Sequence, residues 1–274
     1  MPRISSPQNP RFRDAVRLAE SSRERRKSGR CVLEGEHLVA VYIDRVGAPE
    51  TLIVNEDALS DPRIAALAEA TSRADVLIVP VRMFAGIAAL PPDIGVLAVV
   101  RTPAVNVPTA ASFCLLLEDI QDPGNVGTML RTAAAAGVAQ VWLSKGCAFA
   151  WSPKTLRAAQ GAHFLTTIVE DIDLIGWSRT FRASGGHIAA LVPHNGEDLY
   201  ATELERPLAL AIGNEGSGLS DALIERADIR VTIPMATGTE SLNAAAAAAV
   251  ALFECVRRQR AGSNRSLPRT STRS

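Results

Sequence analysis

Leu208-Ala-Leu-Ala-Ile-Gly-Asn-Glu-Gly-Ser-Gly-Leu219 decides how this chain is read. Residues 208–212 are uniformly apolar, as in a strand covered on both faces of a parallel sheet. The turn that follows places Gly213, Gly216 and Gly218 around one carboxylate, Glu215. In open parallel sheets ligands sit beyond the carboxyl ends of the strands, which is where such a turn falls. It is neither G-x-G-x-x-G nor a Walker loop, and no Lys-Ser/Thr follows, so nucleoside triphosphate binding has no support. A plain glycine-rich turn, with Ser220 capping the next helix, would use the same letters.

The same alternation repeats on either side of this stretch. Apolar runs at Phe113–Leu117, Gln140–Leu143, Phe164–Val169, His187–Val192 and Ile229–Ile233 read as further strands. Helical segments separate them at Val126–Ala136, Pro153–Ala159, Leu174–Arg182, Leu219–Glu225 and Ser241–Arg258. Strand and helix in turn predict a parallel α/β sheet. Two more polar turns fall at strand ends. In Glu118-Asp-Ile-Gln-Asp-Pro-Gly-Asn-Val-Gly-Thr-Met-Leu-Arg131, Asn125 reads as the start of a helix, where it could be an N-cap and nothing more. Arg131 is harder to explain as structure, because its helix is otherwise apolar and alanine-rich and a guanidinium there needs a carboxylate or phosphate partner. In Ile233-Pro-Met-Ala-Thr-Gly-Thr-Glu-Ser-Leu-Asn243, Ser241 and Asn243 open a helix that begins with alanines 244–249. Good helix formers explain that run by themselves. Side chains this small also admit close packing by a second chain segment or a second subunit.

Upstream, residues 10–28 read as a basic amphipathic helix, and Leu38, Val41 and Tyr42 mark a helix within Val32–Arg45. Strands are expected at Thr51–Val54, Val76–Val79 and Ile94–Val100, with helices at Arg63–Thr71 and Met83–Leu90. The expected domains are a small α/β unit over 1–102, a proline-marked linker over 103–111, the larger α/β domain over 112–260 and a disordered tail over 261–274.

The 274 residues carry zero formal net charge, unevenly spread. Residues 1–30 hold nine basic groups against three acidic ones, and residues 256–274 hold six arginines and no acid. The segment between them is strongly anionic. Cationic ends suit a polyanionic partner, although a solvated basic helix and a loose tail would give the same count. Aromatics make up only 4%, fewer than a binder that stacks single-stranded bases would need. The four cysteines, Cys31, Cys114, Cys147 and Cys255, are scattered without a C-x-x-C pair, so no metal site or disulfide framework is legible. The expected location is the cytoplasm: no apolar signal stretch opens the chain, and the run Ala244–Phe253 is too short to span a bilayer.

Taken together, in order and spacing, the three turns resemble the SpoU (TrmH-like) branch of the SPOUT RNA methyltransferases. The matching residues are Asn125 and Arg131; Gly213, Glu215, Gly216 and Gly218; and Ile233-Pro234-Met235 with Ser241-Leu242-Asn243. Ser152–Arg157 and Gln160–Phe164 are similar as well. Val32-Leu-Glu-Gly-Glu-His37 and Val76–Val100 look like the ribosomal-protein-like RNA-binding domain of rRNA-modifying members. The last helix departs from the family in starting with alanines rather than Val and Ser.

The resemblance implies a deep trefoil knot, a homodimer with active sites at the subunit interface, S-adenosylmethionine as methyl donor and a ribose 2′-hydroxyl of structured RNA as acceptor. Large-subunit rRNA is favoured over tRNA, and a non-catalytic RNA-binding or ribosome-assembly protein on the same fold is the rival. The catalytic residues it implies are Asn125, Arg131, Glu215, Ser241 and Asn243. Leu191, Ile212, Gly213, Asn214, Gly216, Ile233, Met235 and Leu242 would hold the cofactor, with no metal required. Arg11, Arg23, Arg25, Arg26, Lys27 and Arg157 are the expected RNA contacts.

Overall fold

The structure is a computed structural model that describes residues 1–73, 75–87, 94–105, 107, 112–238 and 241–265. The chain divides into two compact units, one of residues 1–106 with 149–165 and one of 107–148 with 166–274.

The first unit opens with α1 (Pro10–Glu20) and α2 (Ser22–Ser28). The single basic helix expected over 10–28 is broken at Ser21, which is extended and whose hydroxyl accepts from Glu24 N–H to start α2. Asn9 caps α1 and Pro10 occupies its first turn, where no amide is needed. Phe12, Ala15 and Leu18 then fall on one buried face of α1 and join the core of the unit. Gly29 ends α2 in the left-handed region at φ 61°.

The unit continues through β1 (Arg30–Glu34), α3 (Glu36–Arg45), β2 (Thr51–Asn55), α4 (Pro62–Ala70), β3 (Val76–Val79), α5 (Val81–Phe84) and β4 (Val96–Arg101). Its sheet runs in the order β1-β4-β2-β3. The sequence reading missed β1, because its strand character comes from antiparallel pairing with β4, Arg30 opposite Arg101, across some 70 residues of chain. Residues 88–90, the end of the helix expected at Met83–Leu90, lie outside the described residues.

The second unit contains β5 (Phe113–Leu117), α6 (Pro123–Ala135), β6 (Gln140–Leu143), β7 (Thr167–Val169), α8 (Leu174–Ala183), β8 (His187–Leu191), β9 (Glu197–Asp198), β10 (Leu208–Ile212), α9 (Asp221–Ile224), β11 (Ile229–Thr232) and α10 (Ala244–Arg265). Its seven strands lie in the order β7-β6-β5-β10-β8-β11-β9, and every pairing is parallel. From β5 the chain steps outward through β6 to β7, then returns by α8 to build the other half of the sheet. The order therefore reverses beside β5, the kind of point at which parallel sheets place ligands beyond their carboxyl ends. α10 packs along α6; Ala244, Ala245, Ala248 and Ala251 of α10 are buried, as are Met129, Leu130 and Ala133 of α6.

Three differences from the sequence reading have physical causes. The segment Phe149–Leu165, with α7 (Pro153–Ala159), belongs to the first unit although its ends continue into β6 and β7. Arg157 donates to Glu34, a carboxylate whose side chain is 1% exposed, and Phe164 sets its ring edge-on to Tyr42 at 5.2 Å. That packing also shortens the strand expected at Phe164–Val169, because Ala162–Phe164 forms a 3-10 turn. At the other end α10 continues to Arg265, so residues 261–265 of the expected tail are helical, and 266–274 lie outside the described residues.

Candidate active site

Because all strands of the second unit run the same way, the turns after β5, β8, β10 and β11 share one end of the sheet. A cavity of about 570 Å³ opens there, between the turn after β8, the glycine turn after β10 and the chain leading into α10. Leu191, Ile212, Gly213, Asn214, Gly216, Ile233, Met235 and Leu242, the residues expected to hold the cofactor, all line it, and so do Glu215 and Ser241. Sequence reasoning missed the turn Val192–Asn195 and Arg230, which line it too. Their only signal was position just past, or within, an apolar run.

The glycine turn has its shape for steric reasons. A Cβ on Gly213 would stand 2.1 Å from the backbone carbon of Gly218, so nothing larger than glycine fits. Asn214 and Gly218 exchange backbone hydrogen bonds of 3.0 and 2.9 Å, which closes the loop. The Asn214 carboxamide is used within the fold: Oδ1 accepts from Gly216 and Ser217 N–H, and Nδ2 donates to the Asp119 carbonyl at 2.8 Å. Its side chain is thus engaged within the fold, and Asn214 remains part of the cavity wall.

Glu215, exposed at the top of this turn, accepts a hydrogen bond of 2.6 Å from Asn125 Nδ2. Asn125 Oδ1 in turn accepts from Asn243 Nδ2 at 3.2 Å. The three polar turns thus meet at Asn125. That residue is not the N-cap of α6; Asp122 is, accepting from Asn125 N–H at 2.9 Å, which leaves the Asn125 side chain free for the link. Asn243 does cap α10, accepting from Ala245 and Ala246 N–H. Beneath the turns, burial raises the pKa of the Cys147 thiol, and as a neutral group it donates to the Leu117 carbonyl at 3.2 Å.

Arg131 is placed differently. It lies six residues beyond Asn125, a rise of about 9 Å and a rotation of about 240° along an α-helix. It is exposed, does not line the cavity, and has no hydrogen-bond or ion-pair partner among the described residues. Among the described residues, no hydrogen bond or ion pair ties it to the other site residues.

The expected RNA contacts divide into two groups. Arg23, Arg26 and Lys27 are exposed on α2, with Arg26 over the Phe149 ring at 4.1 Å. The other three are anchored in the first unit. Arg25 is 6% exposed and donates to the Leu18 and Ala19 carbonyls at 2.6 and 3.0 Å. Half-buried Arg11 donates to Thr51 Oγ1 and reaches Asp75 at 3.4 Å. Arg157 neutralises Glu34, whose pKa is raised by burial and held back by Arg157 and Arg25. These three guanidiniums complete the fold; releasing one to a phosphate would strand a buried acceptor.

Residues 112–253 match the family model of the SpoU rRNA methylase family, and residues 9–98 match that of an MRM3-like substrate binding domain. A relative in Bacillus subtilis (strain 168), the 23S rRNA (guanosine(2553)-2′-O)-methyltransferase RlmP, is 33% identical over 92% of this chain and 98% of its own. The mitochondrial rRNA methyltransferase 3 of Xenopus laevis is 28% identical over 90% of this chain and 74% of its own. Among solved structures, the SpoU methyltransferase AviRb from Streptomyces viridochromogenes, in complex with AdoMet, superposes with a TM-score of 0.80 at 26% identity over 92% of this chain and 98% of that one. An AdoMet-bound rRNA methyltransferase from Sinorhizobium meliloti gives 0.80 at 27% identity over 94% and 98%. With more than half its length matching the family model and a full-length relative a third identical, the chain belongs to the SpoU rRNA methylase family.

Proposed function

We propose that this enzyme transfers the methyl group of S-adenosylmethionine to a ribose 2′-hydroxyl of large-subunit rRNA, acting as a knotted homodimer in the cytoplasm. One observation carries the reading: three polar turns, far apart in sequence, converge through Asn125 at the rim of a cavity beyond the carboxyl ends of β8, β10 and β11.

The cavity fits the donor chemically. Ile212, Leu219, Ile233 and Leu242 offer apolar walls for an adenine ring, and the glycine turn lets backbone amides and carbonyls approach closely. The bound cofactor supplies an electrophilic methyl carbon on a sulfonium. The protein must then orient the ribose and raise the nucleophilicity of its hydroxyl. Glu215, held by Asn125, is placed to accept a hydrogen bond from the 2′-hydroxyl or its proton. Ser241 and Asn243 orient the ribose from the opposite turn. Arg131 stabilises the developing alkoxide and the neighbouring phosphate as a fixed cation, since a guanidinium is a donor that does not give up its proton in proteins. Its placement away from the cavity of its own chain accords with a site completed by Arg131 of a second copy.

The substrate assignment is supported by the MRM3-like substrate binding domain over residues 9–98 and by the names of the relatives. The exposed cations of α1 and α2 suit the RNA backbone, and recognition of the 2′-hydroxyl separates RNA from DNA. The knot accords with the strand order, since the chain runs from β8 to β9 at the sheet edge, then to β10 on the other side of β8, and back across β8 to β11. No described helix is long and apolar enough to cross a membrane.

The test is to map 2′-O-methylation in rRNA and tRNA from cells with and without the gene, and to restore the missing mark with purified protein and labelled AdoMet. A single ribose in large-subunit rRNA that regains its methyl group is expected. A mark lost only from tRNA, or no mark lost and no AdoMet bound, overturns the proposal.

A further inference from the structure

The turn after β5 and the turn after β10 are joined at three successive points. Glu118 takes both polar groups of Ser220, N–H and Oγ, at 2.7 Å each. The Asp119 carbonyl takes Asn214 Nδ2 at 2.8 Å. Glu215 takes Asn125 Nδ2 at 2.6 Å. Only the last joins residues that the proposed chemistry uses. The middle tie is unusual in its backbone. Asp119 is in the left-handed region at φ 54°, a conformation that non-glycine residues seldom adopt, aspartate and asparagine being among the exceptions. It is held there on both sides. Its N–H donates to Ser144 Oγ at 2.9 Å, and Ser144 Oγ donates back to Asp119 Oδ1 at 2.6 Å. Gly146 lies so near that a Cβ there would stand 2.1 Å from Asp119 Oδ1. A backbone outlier fixed from several directions beside a reacting centre indicates a geometry that is imposed.

The left-handed twist at Asp119 turns its carbonyl toward Asn214. The Asn214 carboxamide, with Oδ1 filled by Gly216 and Ser217 N–H, transmits that position to the peptide carrying Glu215. We propose that Asp119 and Asn214 are positioning residues for methyl transfer, together setting the reach of Glu215 to Asn125. This rests on the reading of Glu215 as part of the methyl-transfer site. Neither residue touches the reacting atoms; each acts through Glu215.

The experiment compares Asn214→Ala, Asn214→Asp, Asp119→Ala and Asp119→Asn in the full-length protein. Asn214→Asp keeps the acceptor for the turn amides, replaces the donor to Asp119 by an oxygen and adds a charge, whereas Asn214→Ala removes the carboxamide without adding one. Asp119→Asn keeps the carbonyl, the acceptor for Ser144 and the tolerance for positive φ. Turnover should fall about 30-fold in Asn214→Ala, Asn214→Asp and Asp119→Ala, with AdoMet affinity within about 3-fold of wild type in Asp119→Ala, where the Asn214 bonds to the turn amides are kept, and Asp119→Asn should stay close to wild type. In a Glu215→Ala background, Asn214→Ala should cause no further loss, because both changes remove one interaction. A second readout needs no turnover: the Asn125 side-chain amide resonances should move in Asn214→Ala as they do in Glu215→Ala. If these resonances stay in place in the Asn214 variants, or the losses in turnover multiply, the brace is overturned. If wild type transfers no methyl group, the functional reading fails, and the Asn125 resonances still decide for or against the brace.

Discussion

Asn125 and Glu215 are 90 residues apart in sequence and 2.6 Å apart in the fold. The hydrogen bond is charge-assisted and joins a residue on the first turn of α6 to the glycine turn after β10. Such bonds are short and about twice as strong as neutral ones, and here the effect is to orient the carboxylate. The bond to Asn243 at 3.2 Å fixes which side of the carboxamide faces Glu215, since Oδ1 accepts one link and Nδ2 donates the other.

Asn125→Ala removes both links. It should lower turnover by about 10- to 100-fold and leave thermal stability within a few degrees, because the carboxamide packs at an open rim. Arg131→Ala should lower turnover by about 100-fold or more, the scale for loss of a donor to developing charge, with AdoMet affinity nearly intact. Steady-state kinetics with AdoMet titration calorimetry checks both. Full turnover in Arg131→Ala would remove that residue from the mechanism.

Gly213→Ala should damage cofactor binding first. The added Cβ would stand 2.1 Å from the Gly218 backbone, which has no flexible side chain to move aside. The turn must open, at a cost of about 1–3 kcal/mol, as for other overpacking changes. Calorimetric AdoMet affinity should fall at least about 10-fold, and the melting temperature should drop by several degrees. An unchanged affinity would show that the donor does not rest on this turn.

Charge reversal on α2 should weaken RNA binding without unfolding the protein. Arg23 and Lys27 are exposed, so Arg23→Glu with Lys27→Glu leaves the core intact. Affinity should fall about 10-fold or more at low salt, and the slope of log affinity against log salt should flatten by about one for each phosphate that is no longer neutralised. Deleting α1 and α2 is a poorer experiment, since Phe12, Ala15 and Leu18 belong to the core of the unit. An unaltered salt slope in the double variant would mean that this face is only solvated.

His163 gives the first unit an acid-sensitive point. Its Nε2 lies 2.7 Å from the Ala150 carbonyl and so carries the proton, while Nδ1 is buried without a partner among the described residues. Burial lowers its pKa from 6.5 to about 4, against a smaller upward pull from the Ala150 bond. A histidine depressed in the folded state contributes stability that is present above its unfolded pKa. That contribution is lost as pH falls toward the folded value, so the window runs from about pH 6.5 down to pH 4. His163→Gln should melt with a shallower pH dependence across that window than wild type. Parallel curves would show that the histidine is not the group responsible.

Much of this protein is legible in its letters because the signals are local. The uniformly apolar run at Leu208–Ile212 becomes a central strand of a parallel sheet, covered on both faces, and Asn9-Pro10 starts a helix because its side chain and ring meet local backbone needs. The eight expected cofactor residues line one cavity, since strand ends in a parallel sheet share one side. The expected RNA contacts were less legible, because composition counts charges and cannot see what pairs with them. Arg25, Arg26 and Lys27 are neighbours in sequence, yet Arg25 is 6% exposed and bound to two carbonyls, while the next two are on the surface.

Hydrophobic period and turn chemistry, acting within a few residues, were enough to set the alternation of strand and helix, the three polar turns and their order. Long-range packing alone put Asn125 between Glu215 and Asn243, carried the Asn214 side chain across to the Asp119 carbonyl, and placed Phe149–Leu165 in the first unit. Those outcomes depend on which distant groups meet and satisfy one another's hydrogen bonds and buried charge, and no local pattern records that.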